Sequence, residues 1–145
     1  MAENTPIAKN KKYRRIATEE AWAPQELLDM YADLFNSKTL DDPGFNSLWG
    51  FYGTSMEPRP ATVRRKLADL DEERLADMDA AGIDFAVLAL TSPGVQVFDR
   101  DSAVAVSRDS NDILKAAIDR HPDRYAGLCA IAPQAPELAA QELER

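Results

Sequence analysis

The period of the apolar positions changes along the chain. From Tyr13 to Ala21 (YRRIATEEA) polar and apolar residues alternate, which predicts a strand. Alternation puts Ile16 and Thr18 on one face and Ala17, Glu19 and Ala21 on the other. From Pro24 to Phe35 the residues Leu27, Leu28, Tyr31, Leu34 and Phe35 recur at helical spacing, and Pro24 suits a first turn. Residues 36–60 show no clear period and read as a loop, rich in aromatic side chains. Pro60 to Ala81 reads as one long helix with Val63, Leu67, Leu70, Leu75 and Met78 on its buried stripe and Gly82 as its stop. Ile83 to Leu90 is short and almost continuously apolar, the pattern of a strand buried on both faces. After Thr91-Ser92-Pro93-Gly94, a helix from about Asp101 to Arg120 turns Val104, Ile113, Leu114, Ala117 and Ile118 inward, and Pro122 ends it. Tyr125 to Ala132 (YAGLCAIA) is a third strand, and a last helix starts near Glu137.

Strands alternating with helices predict an α/β fold built from right-handed βαβ units around a parallel sheet. In such folds ligands bind beyond the carboxyl ends of the strands. That directs attention to Glu19–Trp22, Thr91–Gln96 and Pro133-Gln134, with the aromatic loop folded over the same side.

The chain has 145 residues and a net charge of −8. Residues 1–15 carry five basic side chains against one acid, so the other 130 hold 12 basic against 24 acidic residues. A surface this acidic repels a phosphate backbone, so nucleic-acid binding is not expected. Residues 1–12 read as a flexible tail, with no apolar core of a secretory leader, and no apolar run is long enough to span a bilayer. The one cysteine, Cys129, excludes a disulfide within the chain and fits a cytoplasmic protein. It is expected to be buried in its strand. The one histidine, His121, sits where it would meet a helix dipole.

Two adjacent carboxylates at a strand end, Glu19 and Glu20, are the sharpest chemical feature. Buried carboxylates need a charge partner or a metal. Glu19 shares its predicted face with two alanines, which leaves room for an ion or ligand. The other reading is an acidic turn ahead of a helix. Arg59, between Pro58 and Pro60, suits bidentate capture of a carboxylate, or simply pairs with Glu57 at the surface. Trp49, Phe51 and Tyr52 either wall a pocket or form a small core under their loop.

Five segments in order resemble one family: IATEEAW (16–22), SLWGFY (47–52), RLADMDAAGID (74–84), LALTSPGVQ (88–96) and HPDRYAGLCAIAPQ (121–134). Together they resemble the amidohydrolase superfamily. Within it they are similar to the aromatic-acid decarboxylases related to 2-amino-3-carboxymuconate-6-semialdehyde decarboxylase. The resemblance implies a (β/α)8 barrel, of which this chain supplies about three βα units from residue 13 to residue 145, with 37–60 as an insertion loop. It implies a divalent metal, manganese or zinc, held at the carboxyl face. Glu19 takes the first ligand position. Ala21 stands where hydrolases of the superfamily carry a second histidine.

The activity implied is non-oxidative decarboxylation of a hydroxylated aromatic acid. The resemblance places Ala21, Trp49, Phe51, Tyr52, Thr91 and Ser92 at the substrate. It makes Arg59 the partner of a substrate carboxylate, a contact that can cross a subunit interface. The acid–base aspartate and the histidine ligands match no position here, so no catalytic acid or base is expected within the chain and the aspartate is expected beyond Arg145. The expected assembly is a dimer or tetramer. A hydrolase on the same fold is one alternative. A non-catalytic assembly module is the other.

Overall fold

Three parallel strands, β1 (Ile16–Trp22), β2 (Phe85–Leu90) and β3 (Tyr125–Gly127), pair in chain order. Between the first two run α1 (Gln25–Ser37), α2 (Pro43–Tyr52), α3 (Pro58–Ala68) and α4 (Glu72–Ala81). The helix α5 (Arg100–Arg120) joins β2 to β3, and α6 (Pro136–Glu144) follows. Parallel neighbours joined by helical crossovers are the repeating unit of a (β/α) barrel, and this chain folds as part of one. The computed structural model describes residues 13–145, and the tail expected at 1–12 lies outside the described residues. Among the described residues no helix is long and apolar enough to cross a membrane.

Helices cover one face of the sheet. Trp22, Ala86, Leu88 and Tyr125 are buried there against Met78 of α4 and Leu114 and Ala117 of α5. Gly127 lies so close to α5 that an added Cβ would fall 2.5 Å from Leu114 Cδ2. A second core, at the carboxyl ends of the strands, joins Leu27, Leu28 and Tyr31 of α1 to Phe45 and Trp49 of α2 and to Val95, Ala103 and Val106.

Five expectations need correction. β2 is buried on one face, since Ala86 and Leu88 are inside while Phe85, Val87 and Ala89 are half-exposed on the other. The stretch 37–60 contains α2, whose start is fixed by Asp42: its carboxylate accepts from Phe45 N at 2.9 Å, and Pro43 opens the first turn. Gly44 and Gly50 dilute the apolar period and hide this helix from a pattern search.

The long helix at 60–81 is two helices, because Asp69 turns extended and its side chain accepts from Arg74 N at 2.8 Å, opening α4 afresh. The inner face of α5 carries Ala103, Val106, Ser107 and Ser110 beside Leu114 and Ala117, while Ile113 points outward. β3 stops at Gly127, and Cys129, expected inside the strand, is exposed beyond it.

α6 is held on α5 by a buried carboxylate. Glu142 accepts from Arg145 (2.8 and 2.9 Å), from Asn111 Nδ2 (2.8 Å) and from Arg108 Nε (3.4 Å). The Arg145 hydrogen bond leads the causes that hold its carboxyl down at about 2, against an ordinary 4.5. A carboxylate with a depressed folded pKa stabilises above its unfolded pKa and loses that contribution as pH falls through the folded one. Glu142→Gln is therefore expected to lower unfolding free energy at pH 7 by on the order of 1–3 kcal/mol. In urea titrations at stepped pH that gap should narrow below about 4.5 and close near 2.

Candidate active site at the carboxyl ends of the strands

Glu19 reaches the site through an irregularity in β1. Ala17 pairs with Ala86, but Glu20 pairs with Leu88, so Thr18 and Glu19 together oppose Val87. Two residues against one shift the parity of the strand, as a bulge does. Ala17 consequently lies on the helix-covered face with Glu20 and Trp22. Glu19 lies on the open face with Thr18 and Ala21. Strict alternation put Ala17 beside Glu19, and the bulge corrects that while keeping Ala21 there. Glu19 is exposed, and among the described residues its carboxylate makes no hydrogen bond or ion pair. Glu20 is half-buried and lines a separate groove with Ala21 and Arg74, so Ala21 borders that groove rather than the cleft that begins at Ala89.

Ala21 pairs with Ala89, and Ala89 begins a cleft of about 360 Å³. The cleft is walled by Ser92, Gly94 and Val95 after β2 and by Leu128, Cys129 and Ile131 after β3. Thr91 starts the β2–α5 loop and is tied to β1 by its N–H to Trp22 O at 2.8 Å. Partial burial, and then the charge of Glu142, raise the Cys129 thiol above its ordinary range, so it is a poor nucleophile at neutral pH.

The aromatic residues separate. Trp49 is 2% exposed and packs on Tyr31 with ring centroids 4.5 Å apart. Its indole N–H donates to Ser92 O at 3.2 Å, so it meets the cleft wall from behind. Phe51 is exposed and stacks edge-on to Tyr52 at 5.1 Å. Arg59 is exposed and forms no hydrogen bond or ion pair among the described residues, so the surface pair with Glu57 is not made. His121 closes α5 as expected, and its Nε2 lies 2.8 Å from Asp71 Oδ1, at the end of the sheet away from the cleft.

Arg74, which the sequence pattern did not single out, donates to Asp69 O (2.7 Å), Lys66 O and Ala21 O (both 3.0 Å). It fastens the edge of β1 beside Glu19.

A divalent metal fits this chain as far as one donor. Carboxylate oxygen suits manganese or zinc, and Glu19 presents one free on the open face. Among the described residues no three His, Cys, Asp or Glu side chains gather as a metal-binding group.

These features define part of a (β/α) barrel with a candidate site at the carboxyl ends of its strands. No family model matches the chain. In sequence and structure it is similar to decarboxylases of aromatic acids. A crystal structure of 5-carboxyvanillate decarboxylase from Novosphingobium aromaticivorans, complexed with manganese and 4-hydroxy-3-methoxy-5-nitrobenzoic acid, superposes with a TM-score of 0.90 at 44% identity. The match covers 100% of this chain and 41% of that one. A dihydroxybenzoic acid decarboxylase from Polaromonas sp. JS666 with bound manganese gives 0.64 at 32% identity, over 91% of this chain and 34% of the other. The gamma-resorcylate decarboxylase of Rhodococcus jostii is 33% identical over 132 residues, 90% of this chain and 34% of that protein. The chain thus spans between a quarter and about two fifths of the proteins it matches.

Proposed function

We propose that this chain contributes the first metal ligand and part of the substrate pocket to a metal-dependent decarboxylase of a hydroxylated aromatic acid such as 5-carboxyvanillate. The observation that carries the reading is the match over the whole chain, at 44% identity, to an enzyme of that activity with manganese bound. The open-face carboxylate of Glu19, one alanine away from the cleft row, supports it.

In this reading Glu19 holds manganese or zinc, which when bound supplies positive charge to the phenolic and carboxylate oxygens of the substrate. Ala21 keeps the floor clear for the ring. Thr91 and Ser92 contact the substrate from the β2–α5 loop, and Phe51 and Tyr52 form the outer aromatic wall. Trp49 backs the loop. Arg59, which has no hydrogen-bond or ion-pair partner among the described residues, pairs with a substrate carboxylate. The ring carbon that bears the carboxylate is protonated, and its bond to the carboxylate then breaks, returning the electron pair to the ring, so that loss of carbon dioxide restores aromaticity. The enzyme so formed is a cytoplasmic homo-oligomer, a dimer or tetramer.

The full-length protein, supplied with manganese and 5-carboxyvanillate, is expected to release carbon dioxide stoichiometrically with the decarboxylated phenol. Turnover of an ester or lactone with no carbon dioxide from any hydroxybenzoate would point to the hydrolase alternative instead.

A further inference from the structure

The β2–α5 loop, from Thr91 to Asp99, contains no regular helix or strand; two turns within it bond Gly94 N to Thr91 O (2.8 Å) and Phe98 N to Val95 O (3.2 Å), and its other carbonyl groups need partners from elsewhere. Three side chains from distant parts of the sequence supply them. Trp49 Nε1 of α2 donates to Ser92 O at 3.2 Å, and Tyr31 Oη of α1 donates to Gly94 O at 2.6 Å. Gln134 Nε2, from the segment before α6, donates to both Val95 O (2.9 Å) and Phe98 O (3.0 Å). Its amide orientation is fixed by those two carbonyls, since the reversed amide would set oxygen against oxygen. The cost of this arrangement is visible: Gln134 Oε1 is buried without a partner among the described residues.

The donors also brace one another. Tyr31 is fully buried, touches Trp49 at 4.5 Å and Phe45 at 5.7 Å, and stacks on Phe98 of the same loop at 5.8 Å. Burial pushes the Tyr31 phenol well above its ordinary range, so it remains protonated and donating across all working pH values.

We infer that Tyr31, Trp49 and Gln134 are positioning residues: a three-point clamp that sets the β2–α5 loop, and with it Thr91 and Ser92, against the aromatic acid. The inference rests on the decarboxylase reading for the substrate, and on hydrogen-bond geometry alone for the clamp. It also gives α2 and its aromatic residues a task, which is to carry the indole donor to the back of the loop.

Two variants test it. Tyr31→Phe deletes one buried hydroxyl at constant ring volume. Gln134→Met deletes a donor at a half-exposed position where loss of the fold is not expected. In each, amide hydrogen exchange over Thr91–Phe98 should quicken by up to about tenfold, while β1 and β2 amides keep their wild-type protection. In the decarboxylation assay KM should rise about 3- to 10-fold with kcat within about twofold, as lost uniform binding predicts.

Unchanged exchange in the loop for both variants overturns the clamp. Faster exchange with an unchanged KM overturns its role toward substrate. Absence of any wild-type carbon dioxide release defeats the decarboxylase reading and the clamp's substrate role together, and leaves the clamp itself to be judged by exchange.

Discussion

Glu19→Gln is expected to abolish carbon dioxide release, lowering kcat/KM by at least ~100-fold, more than loss of an outer-sphere partner of a metal ligand costs. The substitution keeps size and shape and removes only the negative charge. An anionic oxygen holds a hard divalent ion strongly, and a neutral amide oxygen holds it weakly. The fold should not notice, because the carboxylate is exposed on the open face and has no intramolecular partner among the described residues. Titration with manganese provides the second readout: wild-type affinity should exceed that of the variant by a similar factor. Glu20→Gln is the control, since the bulge turns Glu20 to the covered face. It should retain most activity. An undiminished rate in Glu19→Gln would remove this residue from the metal site.

Trp22→Ala is expected to cost about 3–5 kcal/mol of folding free energy, the range for emptying a buried aromatic site. Trp22 is 1% exposed, pairs with Leu90 at the end of β1, and packs in the core between sheet and helices with Met78, Leu88 and Leu114. Trp22→Phe should cost far less, about 1 kcal/mol or below. The indole N–H is buried and has no hydrogen-bond partner among the described residues, so phenylalanine relieves an unmet donor while giving up part of the volume. Urea unfolding should show both midpoints shifted with the slope unchanged. Equal losses in the two variants would mean that the indole N–H is satisfied in solution.

Much of the architecture was readable from pattern. β2 announced itself through an apolar run too short for a helix, and α1 and α5 through periodicity over three turns or more, where the signal accumulates. Gly82 adopts the left-handed conformation that ends α4, as its place after the apolar stripe implied. The elements misread are those decided by single polar contacts. Asp42 starts α2 and Asp69 restarts α4, and neither carboxylate differs in the sequence from any other surface acid. Cys129 lies outside β3 because Asn111 draws the next residue aside, with Ala130 N and Ala130 O both bonded to its side-chain amide at 2.8 Å. A signal for Gln134 did exist, since a glutamine between Pro133 and Ala135 has few local partners and must look further for its hydrogen bonds.

The sequence by itself determined the parallel α/β order, and it pointed to the strand ends as the chemical side and to Glu19 as the carboxylate to test. Those follow from local periodicity and from residue chemistry, which need no knowledge of distant neighbours. Only the tertiary structure decided which way Glu19 faces and what it faces with, because a one-residue slip between β1 and β2 exists only once the strands pair. It alone decided that Trp49 backs the cleft wall, and that Tyr31 and Gln134, 63 and at least 36 residues from the carbonyls they bind, hold one loop in place. Contacts of that separation leave no period in the chain.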